Sequence, residues 1–315
     1  MTQFSQKEFK LQEIQSINIY QQCIIGISAL YFDQKGEYIY GLGEHHKLKI
    51  YDLRTRCSKL FIFCRCECNL GIQVCEDIST IVTCWEPGVL IIYRVETRNW
   101  KILRIQYIIS SIHFTRLSNV NQQLNHFACS KSDGSLTVYH NSKGLFQQFQ
   151  QICDANQNEW LNIILFESFL ICSNQSVQIQ MFKFNQNLKR YEFFKIFTNN
   201  ITIYSIFGSF DRILILGSNK KYKQYEVDLE KGDLKCLGET QDQGSFLSQI
   251  LFLDGGNSFI EIGFSKYLNL WKFDKKEIKI SETIEFEQRI STASVSKNKN
   301  AVIIGFKDGT IKLYA

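Results

Sequence analysis

The sequence predicts an all-β fold: a seven-bladed β-propeller of four-stranded antiparallel blades, closed by an N-terminal strand on the last blade. Three observations point there. An apolar–aromatic motif recurs seven times at a nearly constant interval. Shorter apolar runs, separated by polar turns, precede its copies. The last copy stands at the C-terminal end, which leaves its blade one strand short.

The motif is an apolar residue followed three positions later by an aromatic, with a mostly apolar residue just before the aromatic. Its copies are Leu48-Lys49-Ile50-Tyr51, Leu90-Ile91-Ile92-Tyr93, Leu136-Thr137-Val138-Tyr139 and Ile179-Gln180-Met181-Phe182. Tyr222-Lys223-Gln224-Tyr225, Leu268-Asn269-Leu270-Trp271 and Ile311-Lys312-Leu313-Tyr314 follow, and only Gln224 breaks the apolar rule. The aromatics are spaced 42, 46, 43, 43, 46 and 43 residues apart. Four-stranded propeller blades repeat at about 40–45 residues. Upstream runs supply the other strands: Ile81-Val82, Phe169-Leu170-Ile171, Ile213-Leu214-Ile215-Leu216 and Ala301-Val302-Ile303-Ile304. Earlier still lie Ile27-Ser28-Ala29-Leu30-Tyr31-Phe32 and Leu247-Ser248-Gln249-Ile250-Leu251-Phe252. Short strands between polar turns indicate a sandwich, barrel or propeller, and the long fixed period selects the propeller.

The chain is expected to form one domain over 1–315, with blades at 24–66, 67–106, 107–153, 157–198, 200–240, 245–287 and 288–315. Residues 1–20 supply the closing strand, centred on Phe9-Lys10-Leu11-Gln12-Glu13-Ile14. Laid on blade seven, it covers an edge that otherwise invites aggregation.

Composition fits a large core: 44% of residues are hydrophobic, and Pro87 is the sole proline, so no proline-rich linker divides the chain. The net charge is +5 with a pI near 8.5. Those charges are scattered, whereas nucleic-acid domains usually cluster theirs and exceed a pI of about 9. The N-terminus Met1-Thr2-Gln3-Phe4-Ser5-Gln6-Lys7-Glu8 has no apolar signal core. No apolar stretch approaches the roughly 20 residues that span a bilayer, so membrane insertion is not expected. Eleven cysteines, an odd number, fit a reducing compartment, cytoplasmic or nuclear.

The repeats resemble those of the WD40 family over essentially the whole chain. Asp133-Gly134-Ser135-Leu136-Thr137-Val138-Tyr139 and Asp308-Gly309-Thr310-Ile311-Lys312-Leu313-Tyr314 look like the family's turn and third strand. Tyr51-Asp52 stands where the family's Trp-Asp dipeptide would be, and Trp271-Lys272 keeps the tryptophan alone. None of His45, His46, His113, His126 and His140 follows a glycine. The family's Asp-His-Ser-Trp network is therefore not expected in its usual form, and apolar packing between blades must carry more of the stability.

Lysines recur in the turns between second and third strands. Lys47, Lys131, Lys220, Lys221, Lys266 and Lys307 fall there, with His45 and His46 in the first of these turns. The WD40 resemblance implies that these turns share the narrower face of the ring. A rim of such cations suits an acidic peptide or a phosphate, although Glu44, Glu86, Asp133 and Asp308 dilute it. Cys64-Arg65-Cys66-Glu67-Cys68 puts three thiols on one side of a strand, but structural zinc sites favour C-x₂₋₄-C pairs. Reduced, packing cysteines are expected there.

No G-x-x-x-x-G-K-[ST], G-x-S-x-G or H-E-x-x-H occurs. No cofactor, metal or small-molecule substrate is expected. The function expected is a non-catalytic protein-interaction scaffold, a subunit of a multiprotein complex, because loops on a rigid ring carry recognition. A second expectation is a non-catalytic subunit of an RNA-modifying or RNA-processing complex. It follows from a faint resemblance of Cys236-Leu237-Gly238, Phe246-Leu247-Ser248 and Leu268-Asn269-Leu270-Trp271 to the WD40 subunit of the tRNA guanine-N7 methyltransferase. That family's charged motif is not evident at Gly217-Ser218-Asn219-Lys220. An enzyme with its site in the central channel is the third expectation.

Overall fold

The computed structural model describes residues 13–18, 27–43, 47–63, 68–76, 79–86, 88–119, 125–143, 145–153, 160, 162–166, 168–174, 176–209, 212–228, 230–240, 249–253, 256–263, 266–274, 277–296 and 301–315. They form 28 β-strands. A closing strand, β1 (Glu13–Asn18), precedes blade one: β2 (Ile27–Phe32), β3 (Tyr38–Gly43), β4 (Lys47–Asp52) and β5 (Cys57–Phe63). Blade two is β6 (Cys68–Cys75), β7 (Thr80–Glu86), β8 (Val89–Glu96) and β9 (Lys101–Ile109). Blade three is β10 (Phe114–Leu117), β11 (His126–Lys131), β12 (Ser135–Ser142) and β13 (Leu145–Cys153). Blade four is β14 (Asn162–Phe166), β15 (Phe169–Ser173), β16 (Gln178–Asn185) and β17 (Arg190–Thr198). Blade five is β18 (Ile203–Ser209), β19 (Arg212–Gly217), β20 (Tyr222–Val227) and β21 (Leu234–Thr240). Blade six is β22 (Gln249–Leu253), β23 (Ser258–Ile262), β24 (Tyr267–Asp274) and β25 (Glu277–Glu285). Blade seven is β26 (Ile290–Ser296), β27 (Ala301–Phe306) and β28 (Thr310–Tyr314), completed by β1.

Within each blade neighbouring strands pair antiparallel, in chain order from the innermost outward, except that β1 takes the outermost place in blade seven. The innermost strands β2, β6, β10, β14, β18, β22 and β26 touch in that order, and β26 returns to β2, so the ring is closed. The second strands are buried along almost their whole length, as in β11, β15 and β27. Blades pack on both of their faces, which is why these segments read as continuous apolar runs rather than alternating ones. The outer strands β9, β17 and β25 alternate instead, with one side left to solvent. The outer edges of blades five and six also meet, by a short parallel pairing of Glu239 with Glu277 and Thr240 with Ile278.

Each of the seven inter-blade interfaces holds its own apolar cluster. The repeat aromatics all lie on third strands, and most project into these clusters. In six blades the pairing of third and outer strands slips by one residue beside that aromatic; in blade two the slip falls between Arg94 and Val95. Such bulges increase local twist, and their recurrence gives each blade a similar twist at its outer edge.

The described part of the closing strand runs Glu13–Asn18, inside the expected 1–20, and pairs Ile17 with Ile311 and Asn18 with Thr310. Residues 1–12 lie outside the described residues. The register follows from burial: Ile17 is 5% exposed among Ile27, Ile303 and Ile311, whereas Ile14 is 60% exposed. The outer strand of blade two also continues to Ile109, past the expected boundary at 106.

Side-chain amides staple blades together. Gln249 of blade six donates to the Ala293 carbonyl at 2.8 Å and accepts the Ala293 N–H at 3.0 Å in blade seven. Gln150 treats the Tyr191 backbone in the same way, at 2.7 Å each. Gln106 does so with Phe146, and Asn119 with Leu165. Each amide imitates one rung of a β-ladder across a gap that backbone pairing does not bridge. Gln249→Leu is expected to lower the unfolding free energy by about 2 kcal/mol, since two hydrogen bonds go and a buried backbone pair loses its partners. Urea unfolding of the two proteins measures this; a change under about 0.5 kcal/mol would show that the staple is ornamental.

Candidate functional site

Strand alternation assigns every turn to one of two faces. Turns between second and third strands lie on the same face as the links between blades. Turns between first and second strands lie on the opposite face, with those between third and outer strands.

The expected lysine rim belongs to the first face. Lys266 and Lys307 are exposed in the turns of blades six and seven. Lys220 and Lys221 are half-buried in that of blade five, where Lys220 adopts φ 61°. Lys47 begins β4, while His45 and His46 lie outside the described residues. Lys131 departs from the expectation. It ends β11 and is only 9% exposed, with its ammonium 5.9 Å from the centre of the Phe114 ring. Most of its side chain is therefore buried against blade three, and it lines a groove beside the Ser110-Ser111-Ile112 link rather than standing free on the rim. Asp133 and Asp308 cap their own turns by accepting the N–H groups of Ser135 and Thr310, both at 2.9 Å. Burial pulls both carboxyls upward, but these bonds outweigh it and hold them below their ordinary value. Gly88 makes the matching turn of blade two. At φ 90°, a Cβ there would lie 2.6 Å from the Ser110 carbonyl oxygen of the link to blade three.

Of the cysteine run, Cys64 and Cys66 lie outside the described residues, and Cys68 begins β6. Among the described residues no group of three or more His, Cys, Asp or Glu is placed to hold a metal ion. Burial, with a hydrogen bond from the Cys129 thiol to Cys84 adding, pushes the Cys129 thiol up, and burial does the same to Cys172. Both are therefore poor nucleophiles.

The opposite face carries a groove of about 470 Å³ between blades one and two. The first turn of blade one supplies Asp33, Gln34, Lys35 and Glu37, followed by Tyr38 and Tyr40 of β3. Blade two supplies Glu76, and Arg98 and Trp100 from its third turn. Asp33 Oδ1 accepts the N–H groups of Glu37 and Tyr38, both at 2.7 Å, which forms the turn. Burial raises the Asp33 carboxyl above its ordinary value; these bonds oppose the shift and the Glu37 charge adds to it. Glu76 Oε1 accepts from the Tyr31 hydroxyl at 2.9 Å and from the Gln34 N–H at 2.8 Å, tying blade two to blade one. Burial, with the Glu76 charge adding, raises Tyr31 far above the usual phenol range, and burial raises Tyr40 likewise. Both phenols therefore remain proton donors. The Tyr38 and Trp100 rings meet at 4.8 Å between centres, tilted by 58°.

None of these groove residues was singled out from sequence. Asp33-Gln34-Lys35-Gly36 reads as an ordinary polar turn. Glu76 and Trp100 come from other turns of another blade, and no local spacing links the three.

No protein-family model matches the chain, and no curated protein matches it. Solved structures do match. The β-propeller domain of Myceliophteria thermophila Cps50 (Swd1) aligns with a TM-score of 0.76 over 97% of this chain and 99% of that one, at 10% identity. At that identity the likeness concerns fold alone: both chains complete the same β-propeller ring.

Proposed function

We propose that this protein is a divergent WD40-type propeller acting as a non-catalytic interaction scaffold within a multiprotein complex of the cytoplasm or nucleus. The observation that carries the reading is β9. Ile105, Tyr107 and Ile109 sit two residues apart on one side of this outer strand and are exposed, and Leu103 is exposed beside them. A row of large apolar side chains along an unpaired edge marks a docking surface or a liability. Exposed Phe193, Phe194 and Ile196 on β17 add a second such edge. The lysines Lys47, Lys220, Lys221, Lys266 and Lys307, with His45 and His46, supply a polar contact surface for an acidic partner segment.

Affinity purification of the tagged chain from its own cells, with mass spectrometry and RNA quantification, tests this. A stoichiometric set of proteins is expected, surviving nuclease treatment and losing at least one member in the Ile105→Lys/Tyr107→Lys variant. Recovery of RNA together with a modifying enzyme would favour the RNA-processing reading. Recovery of the chain alone would refute a role as an obligate subunit.

A further inference from the structure

We infer that the groove between blades one and two receives a basic side chain, arginine or lysine, presented by a partner polypeptide. This inference rests on the scaffold reading and narrows it to one contact. Asp33 is only 4% exposed, yet it forms no ion pair among the described residues. Its carboxylate is met by backbone N–H groups instead: Oδ1 accepts those of Glu37 and Tyr38, and the Lys35 N–H adds a further bond. A carboxylate taken out of water without a cation is costly, and an incoming cation removes that cost. Glu37 and Glu76 line the same groove, so an anion would be repelled. Lys35 and Arg98, by contrast, are exposed and form no ion pair among the described residues. They are available to acidic residues flanking the inserted base.

The groove also offers aromatic rings. Tyr38, Tyr40 and Trp100 line it, and cations bind over such faces, more strongly when desolvated. The chain's own Arg54 displays the preference of this wall. Its guanidinium lies 5.6 Å from the centre of the Tyr38 ring, donates to the Tyr38 hydroxyl at 2.7 Å and stands 3.4 Å from Glu37. The volume of about 470 Å³ falls in the range of ligand pockets. It exceeds what one basic side chain fills, which leaves room for the backbone presenting it. An inter-blade position suits recognition, because its walls are held by the ring rather than by a mobile loop.

The probes are the capped amino acids N-acetyl-arginine methylamide and N-acetyl-lysine methylamide, with the glutamine analogue as control, titrated by ligand-observed NMR. The arginine and lysine probes are expected to bind at least about tenfold tighter than the glutamine probe. Asp33→Asn keeps the Oδ1 acceptor of the turn and should weaken both basic probes at least fivefold, while Lys235→Ala, exposed on the outer strand of blade five, leaves them unchanged. Trp100→Asn is the second variant. Asparagine tolerates the φ of 55° at that turn, and loss of the ring should weaken binding without unfolding the protein. Equal binding of the glutamine probe, or unchanged binding in both groove variants, overturns the site. Should proteins co-purify while the probes ignore Asp33, the site falls and the scaffold reading stands. Should the probes bind through Asp33 while no protein co-purifies, the polypeptide occupant falls and a free organic cation takes its place.

Discussion

Glu261→Leu is expected to lower the unfolding free energy by about 4 kcal/mol, because three donors in a buried network lose their acceptor. Glu261 is 1% exposed on β23 of blade six. Its Oε1 accepts the Tyr222 hydroxyl of blade five at 2.8 Å. Its Oε2 accepts the Trp271 indole N–H at 2.9 Å and the Asn269 amide at 3.1 Å. Asn269 is fixed in turn by the Thr283 hydroxyl at 2.9 Å. The Asp-His-Ser-Trp network that the sequence argues against is thus replaced in blade six by one acidic side chain that also reaches the neighbouring blade. Urea unfolding of Glu261→Leu, Tyr222→Phe and the double variant measures the coupling, with at least about 1 kcal/mol expected between the two positions. A loss below about 1 kcal/mol in Glu261→Leu would mean that burying the carboxylate costs as much as its bonds return.

Acidification should destabilise the ring through His126, by an amount approaching about 3 kcal/mol at pH 4. His126 is buried on β11, its Nδ1 3.3 Å from the Tyr191 hydroxyl and its ring 4.9 Å from those of His140 and Phe149. Burial, helped by the His140 charge, lowers its pKa from 6.5 to about 4. The unfolded chain therefore takes up this proton first. The stability contribution is complete above pH 6.5, falls as pH drops from 6.5 to about 4, and changes no further below that. Asp133 and Asp308 act in a separate, lower window. Their folded pKa values are depressed, so their contribution is present above the ordinary carboxylate value and is lost only as pH falls through the folded one. Unfolding free energies at pH 7.5 and 4.5 test the assignment. The wild type should lose at least about 2 kcal/mol over that interval, and His126→Phe less than about 1 kcal/mol. Equal losses in both would place the acid sensitivity elsewhere.

Much of the ring was legible because its information is periodic. Tyr51, Tyr93, Tyr139, Phe182, Tyr225, Trp271 and Tyr314 all stand on third strands. A strand pressed between two blades must be apolar on both faces, so runs such as Phe169-Leu170-Ile171 and Ala301-Val302-Ile303-Ile304 announce second strands directly. The closing strand was legible as a necessity, and its register was decided by packing: the cluster of Ile27, Ile303 and Ile311 selects Ile17. Lys131 looked equivalent to Lys266 by position, yet one packs over Phe114 and the other is exposed.

The sequence by itself determined the number of blades and the order of strands within them. Both follow from a repeat that is local and short in period. Only the tertiary structure decided what lies between blades: the Glu261 network, the glutamine staples and the groove of Asp33, Glu76 and Trp100. Each joins residues tens of positions apart in the chain. Their meeting depends on the angle and spacing at which one twisted sheet packs against the next, and that geometry is set by the closure of the whole ring rather than by any one segment of the chain.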